Sequence, residues 1–178
     1  TEFQMKVQVA DDSGELCPVW GDCRLQDLAY RYQVNGEGFQ ATDTKYPVED
    51  VNPFIVRDFS RCIQCGRCVQ ACNEVQVNQA IHYGYRGAST KIIAAGDRPY
   101  RDSDCVFCGE CVQVCPVGAL VEKDVRYNVR PWETKKVRTT CSYCGVGCQF
   151  YLHVRDNQVV KVTGVEDAAP NYGSLCVK

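Results

Sequence analysis

Two stretches decide the fold: Cys62-Ile63-Gln64-Cys65-Gly66-Arg67-Cys68-Val69-Gln70-Ala71-Cys72 and, thirty-two residues later, Cys105-Val106-Phe107-Cys108-Gly109-Glu110-Cys111-Val112-Gln113-Val114-Cys115-Pro116. Each is a C-x2-C-x2-C-x3-C run. A cubane [4Fe–4S] cluster needs four thiolates at the corners of a tetrahedron, three from a tight loop and a fourth from the helix that leaves it. Where one domain carries two such runs, the fourth Cys serves the other cluster. The spacing therefore groups Cys62, Cys65, Cys68 and Cys115 around one cluster, and Cys105, Cys108, Cys111 and Cys72 around its partner. Zinc sites use paired C-x2-C without the third Cys of each run. A disulfide framework needs an oxidising compartment and no such repeat. Gly66 and Gly109 occupy the same place in each run, where a missing side chain lets backbone N–H groups approach cluster sulfurs.

Fourteen cysteines in 178 residues put the chain near the level of a cysteine-built scaffold, so metal clusters replace part of an apolar core. A net charge of −2 gives no reason to expect a nucleic acid or an anionic membrane surface as partner. No apolar run approaches the roughly twenty residues of a membrane span. Thiolates in this number must stay reduced during cluster insertion, which favours the cytoplasm. The chain starts at Thr1 without Met and stops at Lys178 inside a motif, so it reads as a piece of a longer polypeptide.

Before the first run, Phe3, Met5, Val7 and Val9 alternate with polar residues over Thr1–Ala10, predicting a half-buried strand that ends in the turn Asp11–Gly14. Leu25, Leu28, Ala29 and Tyr32 recur at helical spacing and predict an amphipathic helix over Arg24–Tyr32. Residues 1–52 end in an irregular linker from Asn35 to Asn52. The domain over 53–124 should hold a strand at Phe54–Arg57, a helix over Val69–Val75, a hairpin of Ala80–Tyr85 with Lys91–Ala95, a short helix at Val112–Cys115 and a closing strand at Ala119–Glu122. Residues 125–137, basic through Arg126, Arg130, Lys135 and Lys136, read as a connector with a solvated or interdomain face. In 138–178, Cys141-Ser142-Tyr143-Cys144-Gly145-Val146-Gly147-Cys148 precedes Cys176 by twenty-seven residues. A hairpin of Gln149–Val154 and Gln158–Thr163 about Arg155-Asp156-Asn157 would return Cys176 to that loop. Four thiolates with three in a wrap suit a third cluster, and zinc stays open here on spacing alone. His82 and His153 fall within strand patterns and read as structural. Trp20, Tyr143 and Phe107 beside Cys loops should shield clusters from water.

Three stretches resemble known families. Arg57-Asp58 through Cys115-Pro116-Val117-Gly118-Ala119-Leu120, with the Cys-Pro close of bacterial ferredoxins, resembles the two-cluster segment of NAD-dependent formate dehydrogenase large subunits and modular iron hydrogenases. Cys141 to Gln149, with Pro170-Asn171-Tyr172-Gly173-Ser174-Leu175-Cys176-Val177-Lys178, resembles the amino-terminal cluster domain of molybdopterin oxidoreductases, formate dehydrogenases in particular. Cys23-Arg24-Leu25-Gln26-Asp27-Leu28-Ala29-Tyr30 resembles the end of the His-ligated cluster motif in the large iron–sulfur subunit of complex I. In that motif a His and three Cys are usual. Here Trp20 stands at the second Cys position, the loop before Cys23 is short and no His lies upstream, which leaves Cys17 and Cys23 as additional candidates or as two buried thiols.

The combination implies an α+β chain, a two-cluster bacterial ferredoxin-like domain followed by the small iron–sulfur domain of a molybdopterin oxidoreductase. It implies the electron-transfer segment of a formate dehydrogenase large subunit with three [4Fe–4S] clusters and, near Cys17/Cys23, the place of a further one. A molybdenum or tungsten bis-pterin guanine dinucleotide would sit in a downstream domain of the same polypeptide, and a flavin/iron–sulfur subunit would reduce NAD+. No residue here is expected to be catalytic, and Lys178 matches the family Lys that bridges the adjacent cluster to a pterin. A complex I-like or hydrogenase-type subunit and a freestanding electron carrier are the alternatives.

Overall fold

The computed structural model describes residues 17–19, 21–34 and 46–176. The strand expected over Thr1–Ala10, the turn after it, Trp20, most of the linker and Lys178 lie outside these residues. Helix α1 (Arg24–Arg31) forms as the spacing predicts, but the buried face is only partly the expected one: Ala29 is buried and Leu25 half-buried, with Gln26 in place of Leu28 and Tyr32. Gln26 and Ala29 face inward, whereas Leu28 and Tyr32 are 48% and 66% exposed. The reason is local. Gln26 Oε1 accepts the Gly21 N–H at 3.4 Å, and Cys23 and Leu25 pack on Val117 and Ala119.

The ferredoxin-like domain is closed by its two ends. Strand β1 (Ile55–Arg57) pairs antiparallel with β4 (Leu120–Glu122), Ile55 opposite Glu122 and Arg57 opposite Leu120. The chain entering the first Cys run is thereby held beside the chain leaving the second. Strands β2 (Ile81–Gly84) and β3 (Lys91–Ala94) form the expected hairpin. Helix α2 (Arg67–Gln70) widens into a π-type turn over Ala71–Val75, and α3 (Glu110–Gln113) is its counterpart. Helix α3 starts ahead of the expected Val112 because Gly109, left-handed at φ 79°, caps it. The shared core joins Ile55, Ile81, Ile92, Ala94, Tyr100 and Leu120 to Cys68, Cys72 and Cys111. The end of the expected linker is not irregular. Glu49 pairs with Arg57 through two backbone hydrogen bonds of 2.8 and 3.0 Å.

The last unit is a three-stranded antiparallel sheet, β5 (Lys135–Thr140), β6 (Gln149–Arg155) and β7 (Gln158–Gly164), in that order. Strand β5 begins inside the residues expected to be a connector. Asp156 and Asn157, at φ 50° and 61°, make the tight turn between β6 and β7. Among the described residues no helix is long and apolar enough to cross a membrane.

The return segment after β7 is packed closely. Val165 is fully buried, and a methyl group on Gly164 would collide with the Gly173 carbonyl. Gly164→Ala should therefore cost about 1–3 kcal/mol by overpacking, read as a lower denaturation midpoint. The loss should fall on the sheet that carries this segment. His153 is buried on β6, its Nε2 2.9 Å from Thr163 Oγ1, and its pKa is pushed down to about 4 by burial first and then by Lys161 and Lys136. Unfolded imidazole titrates near 6.5, so the unfolded chain binds the extra proton in the interval below that value. Stability must fall with pH through this window. His153→Gln should flatten the loss of thermal stability between roughly pH 7 and pH 5.

Candidate iron–sulfur centres

The first loop begins with a single turn (Phe59–Arg61) capped by Asp58, whose carboxylate accepts the Ser60 N–H at 3.1 Å and pairs with Arg61 Nε at 2.9 Å. Both Cys runs then follow one backbone course. Gln64 and Gly66 are left-handed at φ 55° and 74°, and Phe107 and Gly109 repeat this at 55° and 79°. Non-glycine residues adopt this region rarely, so the repetition marks the wrap itself. A side chain at Gly66 would also strike the Tyr83 hydroxyl, whereas Gly109 faces open space. Backbone N–H groups reach sulfur from two places: Gln64 N–H, within the first wrap, donates to Cys62 Sγ at 3.4 Å, and Ala80 N–H, just ahead of β2, donates to Cys72 Sγ at the same distance.

Cys62, Cys65, Cys68 and Cys115 line a single apolar hollow with Phe59, Ile63, Ile92 and Leu120. Burial pushes the Cys68 thiol up to about 12, and the sulfurs that add to this are Cys115, Cys62 and Cys65. The other four thiols group likewise. The Cys111 thiol is raised well above its usual value by burial, then by Cys105, Cys68, Cys108 and Cys72, while Cys72 also raises Cys105 and Cys108. This donor set fits iron–sulfur clusters. Such buried thiols stay protonated until a cation of high charge replaces the protons. Among the described residues no three His, Cys, Asp or Glu side chains converge closely enough for one ion, and the four thiols of the first hollow instead surround a space.

In the third region Cys141 N–H donates to the Cys148 carbonyl at 2.8 Å, closing the wrap between β5 and β6. Asn171 ties the return segment back. It accepts the Gln149 N–H at 2.8 Å and donates to the Gln149 and Ser174 carbonyls at 3.1 and 3.0 Å. This holds the stretch leading to Cys176 beside the strand that leaves Cys148. Cys144 and Cys176 are exposed and Cys141 and Cys148 half-buried. Tyr143, expected to cover this loop, is 78% exposed, while Phe107 packs on Phe54 at 5.7 Å between ring centroids. Phe107 is thus half-buried against the core, whereas Tyr143 is covered by nothing among the described residues. The difference is packing partners: Phe107 lies over the core, and Tyr143 sits at the tip of an open loop.

Cys17 and Cys23 are both buried and lie against the loop that follows Cys115. The Cys23 thiol donates to the Pro116 carbonyl at 3.5 Å, and Arg130 Nη1 donates to the Cys17 carbonyl at 2.7 Å. Burial first, with Cys17 nearby, raises the Cys23 thiol. His82 lies on β2, exposed, and bonds the Gln79 carbonyl at 2.9 Å.

Buried polar groups beside the cysteines left no trace in the Cys spacing. Glu110, between Cys108 and Cys111, is buried and accepts from Ser174 Oγ at 3.3 Å and Gln76 Nε2 at 3.4 Å. Gln113 Oε1 accepts the Gly164 N–H at 3.1 Å. Both join α3 to the third region. Arg57, 2% exposed, could have been flagged as a charge in the otherwise apolar Phe54-Ile55-Val56 run.

Comparison with known proteins follows this division. Residues 61–119 match the family described as 4Fe-4S dicluster domain, and residues 134–178 match the molybdopterin oxidoreductase Fe4S4 domain. The chain is thus an iron–sulfur segment in which a two-cluster ferredoxin-like domain precedes the small Fe4S4 domain of the molybdopterin oxidoreductases. An NADH-quinone oxidoreductase subunit of Rhizobium meliloti (strain 1021) is 33% identical over 92% of this chain and 19% of its own. A protein of Staphylococcus aureus (strain USA300) described as a putative formate dehydrogenase is 28% identical over 89% of this chain and 20% of its own. Among solved structures, the NAD+-reducing [NiFe]-hydrogenase in the H2-reduced state aligns with a TM-score of 0.59 at 27% identity, over 72% of this chain and 54% of that one. The chain spans about a fifth of the length of the curated relatives it matches.

The crossed grouping of thiols has a clear test. With three clusters present, Cys115→Ala should remove about a third of the iron, and Cys62→Ala/Cys115→Ala should lose no more. Cys62→Ala/Cys72→Ala should lose about two-thirds. Iron and sulfide analysis of anaerobically purified protein separates these outcomes from uncrossed pairing, in which Cys62→Ala/Cys72→Ala would lose only one cluster.

Proposed function

We propose that this chain is the electron-transfer segment of a formate dehydrogenase that carries a molybdenum or tungsten bis-pterin cofactor downstream. The observation that carries the reading is the joining, in one chain, of the dicluster domain to a molybdopterin oxidoreductase Fe4S4 domain through the Glu110–Ser174 and Gln113–Gly164 contacts. In this reading Cys141, Cys144, Cys148 and Cys176 hold the centre nearest the pterin. The two crossed sets of the ferredoxin-like domain hold the next two. Bound clusters would supply reversible one-electron steps. The chain's own residues do the rest: Cys thiolates hold the centres, backbone N–H groups at Gln64 and Ala80 point at sulfur, and the buried Ile92 and Leu120 keep water off. Electrons would leave towards a flavin-containing partner that reduces NAD+, in the cytoplasm. Lys178 would bridge the third centre and the pterin.

A second reading, a subunit of a complex I-like or hydrogenase-type oxidoreductase, is favoured by the 33% identity to the NADH-quinone oxidoreductase subunit. Anaerobic absorbance of the full-length native complex decides between them. Formate should bleach the visible cluster absorption within the mixing and turnover time. Bleaching by NADH with no response to formate would instead establish the second reading and remove the formate assignment.

A further inference from the structure

Five buried side-chain polar atoms lack a hydrogen-bond partner among the described residues; Asn52 Nδ2 and Asn73 Oδ1 stand apart, and the other three, Tyr100 Oη, Arg57 Nε and Arg57 Nη1, belong to two side chains in contact. Tyr100 is 1% and Arg57 2% exposed. The guanidinium stacks on the Tyr100 ring at 3.9 Å from its centroid. It is fixed there by an ion pair to Glu49, whose other oxygen accepts the Tyr100 N–H at 3.3 Å. Arg57 approaches the phenol oxygen only as a donor and without good hydrogen-bond geometry, so the phenol proton itself still lacks an acceptor. Buried polar groups are nearly always satisfied, and an orphan calls for a missing partner.

The surroundings name that partner's chemistry. Tyr100 packs in one core cluster with Cys68, Cys72 and Cys111. Cys68 belongs to one proposed centre and Cys111 to the other, and both sulfurs act electrostatically on the phenol. Arg57 likewise acts on Cys105. A hydroxyl donor and a permanent cation are thus placed where the two thiol sets meet.

We infer that the Tyr100 hydroxyl donates a hydrogen bond to a cluster sulfur at the junction of the two Cys sets, and that the buried Arg57 cation reinforces it, so that this pair sets the reduction potentials of the two centres. The inference rests on the iron–sulfur reading of these thiols. Reduction adds negative charge to a centre, and both a hydrogen bond to sulfur and a neighbouring cation favour the more negative state.

EPR-monitored redox titration of the full-length complex tests this, together with the hyperfine couplings of exchangeable protons in H2O and D2O. Wild-type protein should show two magnetically interacting [4Fe–4S] signals on reduction. Failure at this step counts against the cluster reading itself. Tyr100→Phe removes one oxygen and keeps the ring under Arg57. It should retain iron content, lose an exchangeable-proton coupling and shift at least one midpoint to more negative potential. Arg57→Gln should shift midpoints in the same direction, while Arg57→Lys stays near wild type. Iron-replete Tyr100→Phe with unchanged midpoints or an unchanged coupling overturns the inference. Should Tyr100→Phe lose iron, wild-type midpoints in Arg57→Gln overturn it independently.

Discussion

Burying sulfur that must become thiolate is the constraint on which the structure turns. Burial raises the thiols of Cys62, Cys68, Cys105, Cys108, Cys111 and Cys115, and each set of neighbours raises its own members further. Such a core is poorly disposed to ionise on its own, and iron that displaces its protons joins folding to metal binding. The apolar complement is modest, with Ile55, Ile81, Ile92 and Leu120 as its large aliphatic members. Protein elements accordingly serve the thiols. The β1–β4 pairing holds the first loop against the end of the second, and the matched left-handed residues shape both wraps.

The same economy joins the two domains. Helix α3 is a single turn, yet it presents Cys111 inward, Glu110 to Ser174 and Gln113 to Gly164. The contact falls between the centre proposed at Cys72, Cys105, Cys108 and Cys111 and the return segment that carries Cys176. Distance governs electron passage, so the contacts of this one turn bear on function more than its length suggests.

Much of this was legible in the chain, because cluster ligation imposes spacing at short range. The two Cys runs, the glycines that turn them, the Ile81–Ala94 hairpin and the β6–β7 turn at Asp156-Asn157 are all local patterns. What escaped was not local. Strand β5 was hidden because it is an edge strand with little burial on either face, so Lys135-Lys136-Val137-Arg138 shows no alternation of apolar and polar residues. On α1 the burial of Ala29 and Leu25 follows the periodicity, but that of Gln26 does not, because its partner is the Gly21 backbone, which helical spacing does not register. Glu110 looks like a surface charge in one dimension, and the apolar run before Arg57 hints at its burial without naming its partners. Only the fold supplies the ring, the carboxylate and the hydroxyl that make their burial affordable.

The closure of β1 on β4 also bears on how the protein is made. In the crossed arrangement the first three thiols of the ferredoxin-like domain, Cys62, Cys65 and Cys68, wait for Cys115, while Cys72 waits for the whole second run. Neither centre can be completed on a partial chain, so metal insertion becomes a late event that follows synthesis of the entire ferredoxin-like domain. Until then the growing chain displays reduced, oxygen-sensitive sulfur without its protecting iron. The interval between translation and cluster delivery is therefore its most vulnerable one, and a scaffold or chaperone that shields nascent thiols would act there.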